Sequence, residues 1–232
     1  MEKLTVLYED NQIIVVIKPQ NVPTQSDDSK DVDMLSMVKA YVKEKYNKEG
    51  EAFIGLVHRL DRPTGGVMVF ARNSKSAKRL TEQFQAHTTE KIYYAVTNGV
   101  VKYKKDTLIN YLEKNEKENM VKVVPMGVSG AKKAELVYEE LENNGKESLL
   151  KIQILTGRSH QIRVQMANIG FPLYGDGKYG KDKNKATKNL GLWAGKLSFI
   201  HPVTKEKMVF IAMPDTSSLP WKKFNMEKYF VR

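Results

Sequence analysis

His58-Arg59-Leu60-Asp61-Arg62-Pro63-Thr64-Gly65-Gly66-Val67-Met68-Val69-Phe70-Ala71 places one carboxylate between two guanidiniums, at a turn between two apolar segments. Val57 leads in, and Pro63 removes a donor and fixes φ. Gly65-Gly66 lets the backbone turn or pass close to a ligand before Val67 to Phe70 resume as a buried strand. Asp61 is thereby predicted at a strand end, on a loop. A reactive carboxylate belongs in such a place. So does a carboxylate that only caps backbone N–H groups ahead of Pro63 as an Asx-turn, and local sequence leaves both readings open.

On the N-terminal side of this stretch the pattern predicts two short strands, Leu4 to Tyr8 and Gln12 to Ile17, separated by Glu9-Asp10-Asn11 and ended by Lys18-Pro19. Asp33 is a candidate N-cap for a helix over Met34 to Tyr46, with Leu35, Val38, Tyr41 or Val42 and Tyr46 at helical spacing. A strand over Ile54 to Leu60 feeds the turn and another covers Val67 to Ala71. Ser74 then caps a helix to about Phe84 whose apolar face is Ala77, Leu80 and Phe84. Further on, Lys91 to Val96 reads as a strand, with shorter candidates at Leu108 to Leu112 and Val121 to Val124. Glu135 to Leu141 and Leu149 to Leu155 read as partners across Asn143-Asn144-Gly145. No repeat, low-complexity run or proline-rich linker divides the chain, so a single domain over 1–232, with its core at about 4–214, is expected.

Composition bounds the function. A length of 232 residues supports a core without disulfide staples, and the absence of Cys excludes thiolate zinc sites and a Cys nucleophile. Of the four histidines, His58, His87, His160 and His201, none stands at metal-ligand spacing. The start has no secretory signal pattern, and Ile13 to Ile17 is far too short to span a bilayer, so a cytoplasmic protein is expected. Lys and Arg number 38 against 27 Asp and Glu, a net charge of +11. Part of the excess is clustered at Lys102, Lys104 and Lys105, at Lys132-Lys133 and in the run Lys178, Lys181, Lys183, Lys185 and Lys188. Such clusters suit phosphate contacts that position a nucleic acid without reading its sequence, and they also serve solubility.

A second constellation follows the predicted Leu149 to Leu155 strand: Thr156-Gly157-Arg158-Ser159-His160-Gln161-Ile162-Arg163-Val164-Gln165-Met166-Ala167-Asn168-Ile169-Gly170. Gly157 turns, Ser159 is a candidate cap, Ile162, Met166 and Ile169 face inward, and Gly170 stops the helix. Arg158 is thus predicted at a strand-to-helix corner, from which an arginine can reach a carboxylate and keep it ionised or can simply face solvent.

Together these segments resemble the RluA branch of RNA pseudouridine synthases. His58 to Gly66 is similar to the branch's His-Arg-Leu-Asp-x-x-Thr-Ser-Gly signature, with Gly65 where Ser is usual. Leu155 to Gly180 is similar to its Thr-Gly-Arg-x-His-Gln-Ile-Arg block followed by Gly-x-Pro-Leu-x-Gly-Asp, with Gln165 where a second His is usual. Val16-Ile17-Lys18-Pro19, Lys91-Ile92-Tyr93-Tyr94-Ala95, and Phe199 to Pro202 with Met208 to Pro214 match shorter motifs. The resemblance covers about Leu4 to Pro214, and no room for an N-terminal S4 domain is expected before Leu4.

The resemblance implies an α+β fold, a mixed and mostly antiparallel central sheet flanked by helices, with a basic active-site cleft. It implies an isomerase that converts uridines in structured ribosomal or transfer RNA to pseudouridine, without cofactor or metal. It assigns Asp61 as the catalytic carboxylate, Arg158 as its ion-pair partner, and Tyr93 as the ring against the flipped base. Arg59 would occupy the space the base leaves or contact a phosphate; Lys18, Arg62, Thr64 and Gln161 would contact RNA or shape the cleft; and His58 and His160, inside the same motifs, would do so or serve as hydrogen-bonded structural residues. RNA is the expected partner, with no membrane, of a monomer. Two other readings stay open on sequence alone: a basic RNA-binding or ribosome-assembly protein without turnover, and a glycosidic hydrolase pairing Asp61 with a second carboxylate such as Asp176.

Overall fold

Strands and helices fall largely where the apolar spacing puts them. The computed structural model describes residues 4–47, 49–180 and 189–230; of the lysine run Lys178, Lys181, Lys183, Lys185 and Lys188, all but Lys178 lie outside the described residues. The fold is α+β. The elements are β1 (Thr5–Glu9), β2 (Ile13–Lys18), α1 (Met34–Lys45), β3 (Gly55–Leu56), β4 (Gly65–Ala71), α2 (Ser74–Gln85), β5 (Glu90–Asn98), β6 (Lys105–Asn115), β7 (Met120–Val124), β8 (Lys132–Asn143), β9 (Glu147–Ile154), α3 (Gln161–Asn168), β10 (Leu192–Ile200) and β11 (Lys207–Ile211). They group into two compact units, Met1–Glu90 with Ala194–Ala212, and Lys91–Trp193 with Met213–Arg232.

In the first unit the strand order is β1-β2-β4-β10, with β3 beside β4 and β11 beside β10. β4 is buried at all seven residues, so both of its faces are covered and its apolar run shows no alternation. Ile13, Val15, Val67, Val69 and Ala71 pack with Leu80 of α2, Leu197, Phe199 and Ala212. α1 buries Met34, Val38 and Val42, one position off the predicted stripe at its start, and Asp33 caps it by accepting from Ser36 N–H at 3.0 Å. On α2 the cap is Asn73 rather than Ser74: its Oδ1 accepts the Ser76 N–H at 2.9 Å. The closing hairpin is tied back by His201, which is buried with Nε2 2.9 Å from Asp10 Oδ2.

In the second unit the order is β5-β9-β8-β6-β7. β8 and β9 turn at Asn144-Gly145 as their composition predicts: Asn143 pairs with Ser148, and Gly145 takes φ 81°. Leu136, Tyr138, Leu150, Ile152 and Ile154 face Ile162 and Met166 of α3. α3 ends in a Schellman motif: Gly170 has φ 89°, its N–H reaches Ala167 O, and Phe171 N–H reaches Met166 O.

Two expectations need correction. The strand predicted over Ile54 to Leu60 is only Gly55–Leu56; at its far end both main-chain groups of Leu60 bond to the Thr24 side chain instead of a neighbouring strand. Gly65 and Gly66 do not make the turn; they begin β4, where Gly66 pairs with Lys18. Gly66 holds φ 128°, and a Cβ there would lie 2.2 Å from Ala194 O, so a close backbone approach fixes the residue as glycine. Gly66→Ala should therefore lower stability by about 2–4 kcal/mol, read as a fall in the chemical-denaturation midpoint at unchanged m-value.

Candidate active site

The residues around Asp61 are held almost entirely through their main chain. Thr64 N–H closes the turn onto Asp61 O at 2.9 Å. Lys18 donates to Arg62 O at 2.9 Å, Thr64 O at 2.7 Å and Pro19 O at 3.0 Å, and Gln20 Nε2 donates to Pro63 O at 3.0 Å. All four carbonyls from Asp61 to Thr64 therefore accept a hydrogen bond. Just upstream, the Thr24 hydroxyl donates to Leu60 O at 2.8 Å and accepts Leu60 N–H at 3.3 Å. His58 accepts Val69 N–H through Nε2 at 3.1 Å and stacks on Phe84 with centroids 4.5 Å apart. Between those two anchors the Arg59 side chain is exposed.

Lys18 is fully buried, so of the two roles expected of it, contacting RNA or shaping the cleft, its lack of exposure speaks against the first. Its ammonium has three donors and all three are used on carbonyls. Burial pulls the ammonium down to about 7, the Asp61 carboxylate opposes that shift, and Arg62 adds to it. Asp61 itself is half-buried beside this cation. Thr64, also expected to meet RNA, is 2% exposed with its hydroxyl enclosed. Arg62 is exposed and pairs with Asp31 and, at 3.6 Å, with Asp27 on the loop before α1.

In the second unit Arg158 occupies the predicted corner between β9 and α3. Its Nε donates to Lys133 O at 2.9 Å, and its N–H donates to Gln161 Oε1 at 3.0 Å. Gln161, expected to contact RNA, is 4% exposed and works on the protein's own corner. Its Oε1 also accepts the Thr156 hydroxyl at 2.8 Å and its Nε2 donates to Glu135 O at 3.0 Å. The predicted Ser159 cap is absent: His160 occupies the N-cap position in the left-handed region, φ 50° and ψ 20°, with no side-chain capping bond. His160 Nδ1 instead lies 2.7 Å from the Tyr179 hydroxyl.

Tyr93, half-exposed on β5, packs against the same core as α3, whereas Tyr94 turns to the opposite face and meets the Phe230 ring at a 33° tilt with centroids 4.3 Å apart. Gln165 is fully buried, and its Nε2 bonds Leu108 O at 3.1 Å and Asn110 Oδ1 at 2.8 Å. One functional-looking pair was missed in the sequence: Arg163 and Asp176 form a two-point ion pair, Nε to Oδ2 and Nη2 to Oδ1, both 2.8 Å. Their spacing of 13 residues across a helix end gives no periodic signal.

The titration of Lys18 has a defined sign. The unfolded chain keeps an ordinary lysine proton up to about 10.5, whereas the folded protein releases it near 7. Between those values the unfolded state binds more protons, so the stability contributed at Lys18 rises with pH across that window. Lys18→Met should remove the rise: between about pH 7 and pH 10 the urea-unfolding free energy of the parent should gain about 3 kcal/mol on that of the variant.

Comparison with known proteins gives a consistent picture. A family model described as RNA pseudouridylate synthase matches residues 12–168. The uncharacterized RNA pseudouridine synthase YhcT of Bacillus subtilis is 31% identical over 210 residues, covering 89% of this chain and 67% of its own. The ribosomal large subunit pseudouridine synthase C of Vibrio cholerae is 28% identical over 209 residues, 88% of this chain and 63% of its own. Human RNA pseudouridylate synthase domain containing 4 shares the fold, with a TM-score of 0.76 at 22% identity over 91% of this chain and 89% of its own.

Proposed function

The chain belongs to the RNA pseudouridylate synthase family, and from that premise we propose that it isomerises uridines of structured ribosomal RNA with Asp61 as the catalytic carboxylate. The reaction breaks the C1′–N1 bond, turns the uracil while it stays bound, joins C5 to C1′ and moves the C5 proton away as N1 gains one. Atoms balance within the nucleotide. An ionised Asp can open this sequence by attacking the sugar or base, or by taking a sugar proton on the way to a glycal.

The observation that carries the assignment is the construction of the 61–64 turn. A carboxylate that must meet one atom of a flipped nucleotide needs a backbone that does not wander, and the four bonded carbonyls supply one. Ribosomal RNA as substrate is supported by the names of relatives such as the Vibrio cholerae enzyme and by a net charge of +11. That substrate goes with a cytoplasmic location, and no helix among the described residues is long and apolar enough to cross a membrane.

The remaining roles extend the same reading. Arg158 is assigned as the ion-pair partner of Asp61 on the grounds of the motif alone. A base inside an RNA helix must be extruded to react, at a cost of a few kcal/mol. Arg59 is assigned to the space it leaves. Its side chain is exposed, while its neighbours His58 and Leu60 are pinned. Tyr93 is assigned to the flipped uracil, where an aromatic ring contributes about 1–3 kcal/mol by stacking.

Asp61→Asn should lower pseudouridine formation on unmodified large-subunit ribosomal RNA by about 10³-fold or more, while RNA affinity stays within about threefold. Residual turnover near the parent rate sinks the assignment. Tyr93→Phe separates two roles for the ring: preserved binding with lost product means that the hydroxyl moves a proton, and full turnover means that the ring only stacks.

A further inference from the structure

The chain carries a net charge of +11, yet the loop ahead of α1 reads Gln25-Ser26-Asp27-Asp28-Ser29-Lys30-Asp31-Val32, with three carboxylates against one ammonium. In a protein that takes up a polyanion, an acidic loop reaching the turn that bears Asp61 is out of keeping with its surroundings. The neck of the loop is closed by Met34 N–H on Pro23 O at 2.9 Å and Leu35 N–H on Thr24 O at 3.1 Å. The Thr24 hydroxyl in turn bonds both main-chain groups of Leu60. Loop and turn are thus fastened to one another at their bases, while residues 25–32 are all exposed.

Two of the carboxylates face one cation. Asp31 Oδ2 pairs with Arg62 Nη2, and Asp27 Oδ2 lies 3.6 Å from Nη1, so the acids take the two outer nitrogens of a single guanidinium. Asp27 divides its oxygens: Oδ1 accepts the Ser29 N–H at 3.0 Å and shapes the loop, which leaves Oδ2 for the arginine. Ser29 Oγ accepts the Asp31 N–H at 3.2 Å and sets the second acid. A planar pair of donors of this kind is also what phosphate oxygens fit. Arg62 follows Asp61 directly, and Lys18 pins its carbonyl at 2.9 Å, so the guanidinium springs from a fixed point one residue from the catalytic carboxylate. The side chains of Arg62, Asp27 and Asp31 are 40%, 44% and 54% exposed. Pairs that open to water favour their closed form by at most about fivefold, weak enough for an RNA phosphate to displace.

We propose that Asp27 and Asp31 occupy the phosphate-binding edge of Arg62 while RNA is absent and yield it to a backbone phosphate beside the target uridine. The inference rests on the reading of Asp61 as the catalytic carboxylate of an RNA-modifying site. The exchange makes the loop a filter. RNA that sets a phosphate on Arg62 replaces both carboxylates, whereas RNA held in another register gains nothing from Arg62 and meets two negative charges.

The test is a double-mutant cycle read as affinity for unmodified large-subunit ribosomal RNA, with Arg62→Gln on one side and Asp27→Asn with Asp31→Asn on the other. Asn keeps an acceptor for the Ser29 N–H, so the loop shape survives the change. Arg62→Gln should weaken binding by about threefold in the parent and about tenfold where both acids are amides, because there the guanidinium breaks no pair to reach the phosphate. The salt slope should fall by about 0.7 on Arg62→Gln in the amide background and by less in the parent. A simple field effect of the two acids adds equally in both backgrounds, so an equal cost of Arg62→Gln with and without the acids overturns the inference. Should the doubly amidated loop fail to fold, Asp31→Asn alone completes the cycle under the same criterion. The cycle reads binding only, so turnover retained by Asp61→Asn would strike the active-site reading and leave this result distinguishable from it.

Discussion

The first unit depends on an ammonium placed where water is absent. Lys18 ends β2 opposite Gly66, and its three donors reach three carbonyls, two of them in the turn that carries Asp61. Burying such a cation is costly on its own, and removing its partners would leave the charge uncompensated. The carbonyl lone pairs and the nearby Asp61 charge offset only part of that cost, which is why burial still pulls the ammonium down to about 7, while the lysine in return fixes the main chain of the turn. A guanidinium would not substitute. Its planar fork matches two parallel acceptors, whereas a tetrahedral ammonium can serve three carbonyls converging from different directions. Gly66 is part of the same arrangement, because its close approach to Ala194 O leaves no room for a side chain beside the strand that Lys18 pairs with.

The corner at Arg158 solves the same problem with neutral groups. Irregular backbone has no ladder to satisfy its N–H and C=O groups, so side chains must do it or the segment frays. Lys18, Gln20 and Thr24 do this around Asp61; Gln161 and Thr156 do it around Arg158. In both places the side chain assigned to chemistry stands next to residues whose own side chains are spent on main chain. This explains why several residues expected to touch RNA are buried. Within such motifs the polar residues beside the reactive one build its support.

What could be read from sequence divides along the range of the interactions. Alternation in Leu150, Ile152 and Ile154 against Lys151 and Gln153, and the Asn144-Gly145 turn, locate β8 and β9 because both signals are local. The α2 cap was misplaced by one residue because Asn73 and Ser74 are both good caps, and only geometry selects the one that reaches Ser76 N–H. The left-handed His160 defeated the Ser159 cap for a related reason, since nothing in a histidine's composition announces positive φ. Lys18 was beyond reach altogether. Lysine is almost never fully buried, and the acceptors that bury this one lie 44 and 46 residues away in sequence.

Asp176 decides between chemistries that the sequence left open. A glycosidic hydrolase needs a second carboxyl that stays protonated near neutral pH to donate to the leaving group, and such a group has its pKa raised by an apolar or like-charged setting. Asp176 is 1% exposed, and burial by itself would push its carboxyl up. The two hydrogen bonds and the charge of Arg163, with the Tyr179 and Lys178 N–H groups, outweigh burial and hold it below the usual carboxylate range. It is therefore an ionised acceptor with both oxygens occupied. Such a group has no proton to give, so Asp176 cannot supply the acid a hydrolase requires. Its place in this molecule is to fix the loop on which Tyr179 stands.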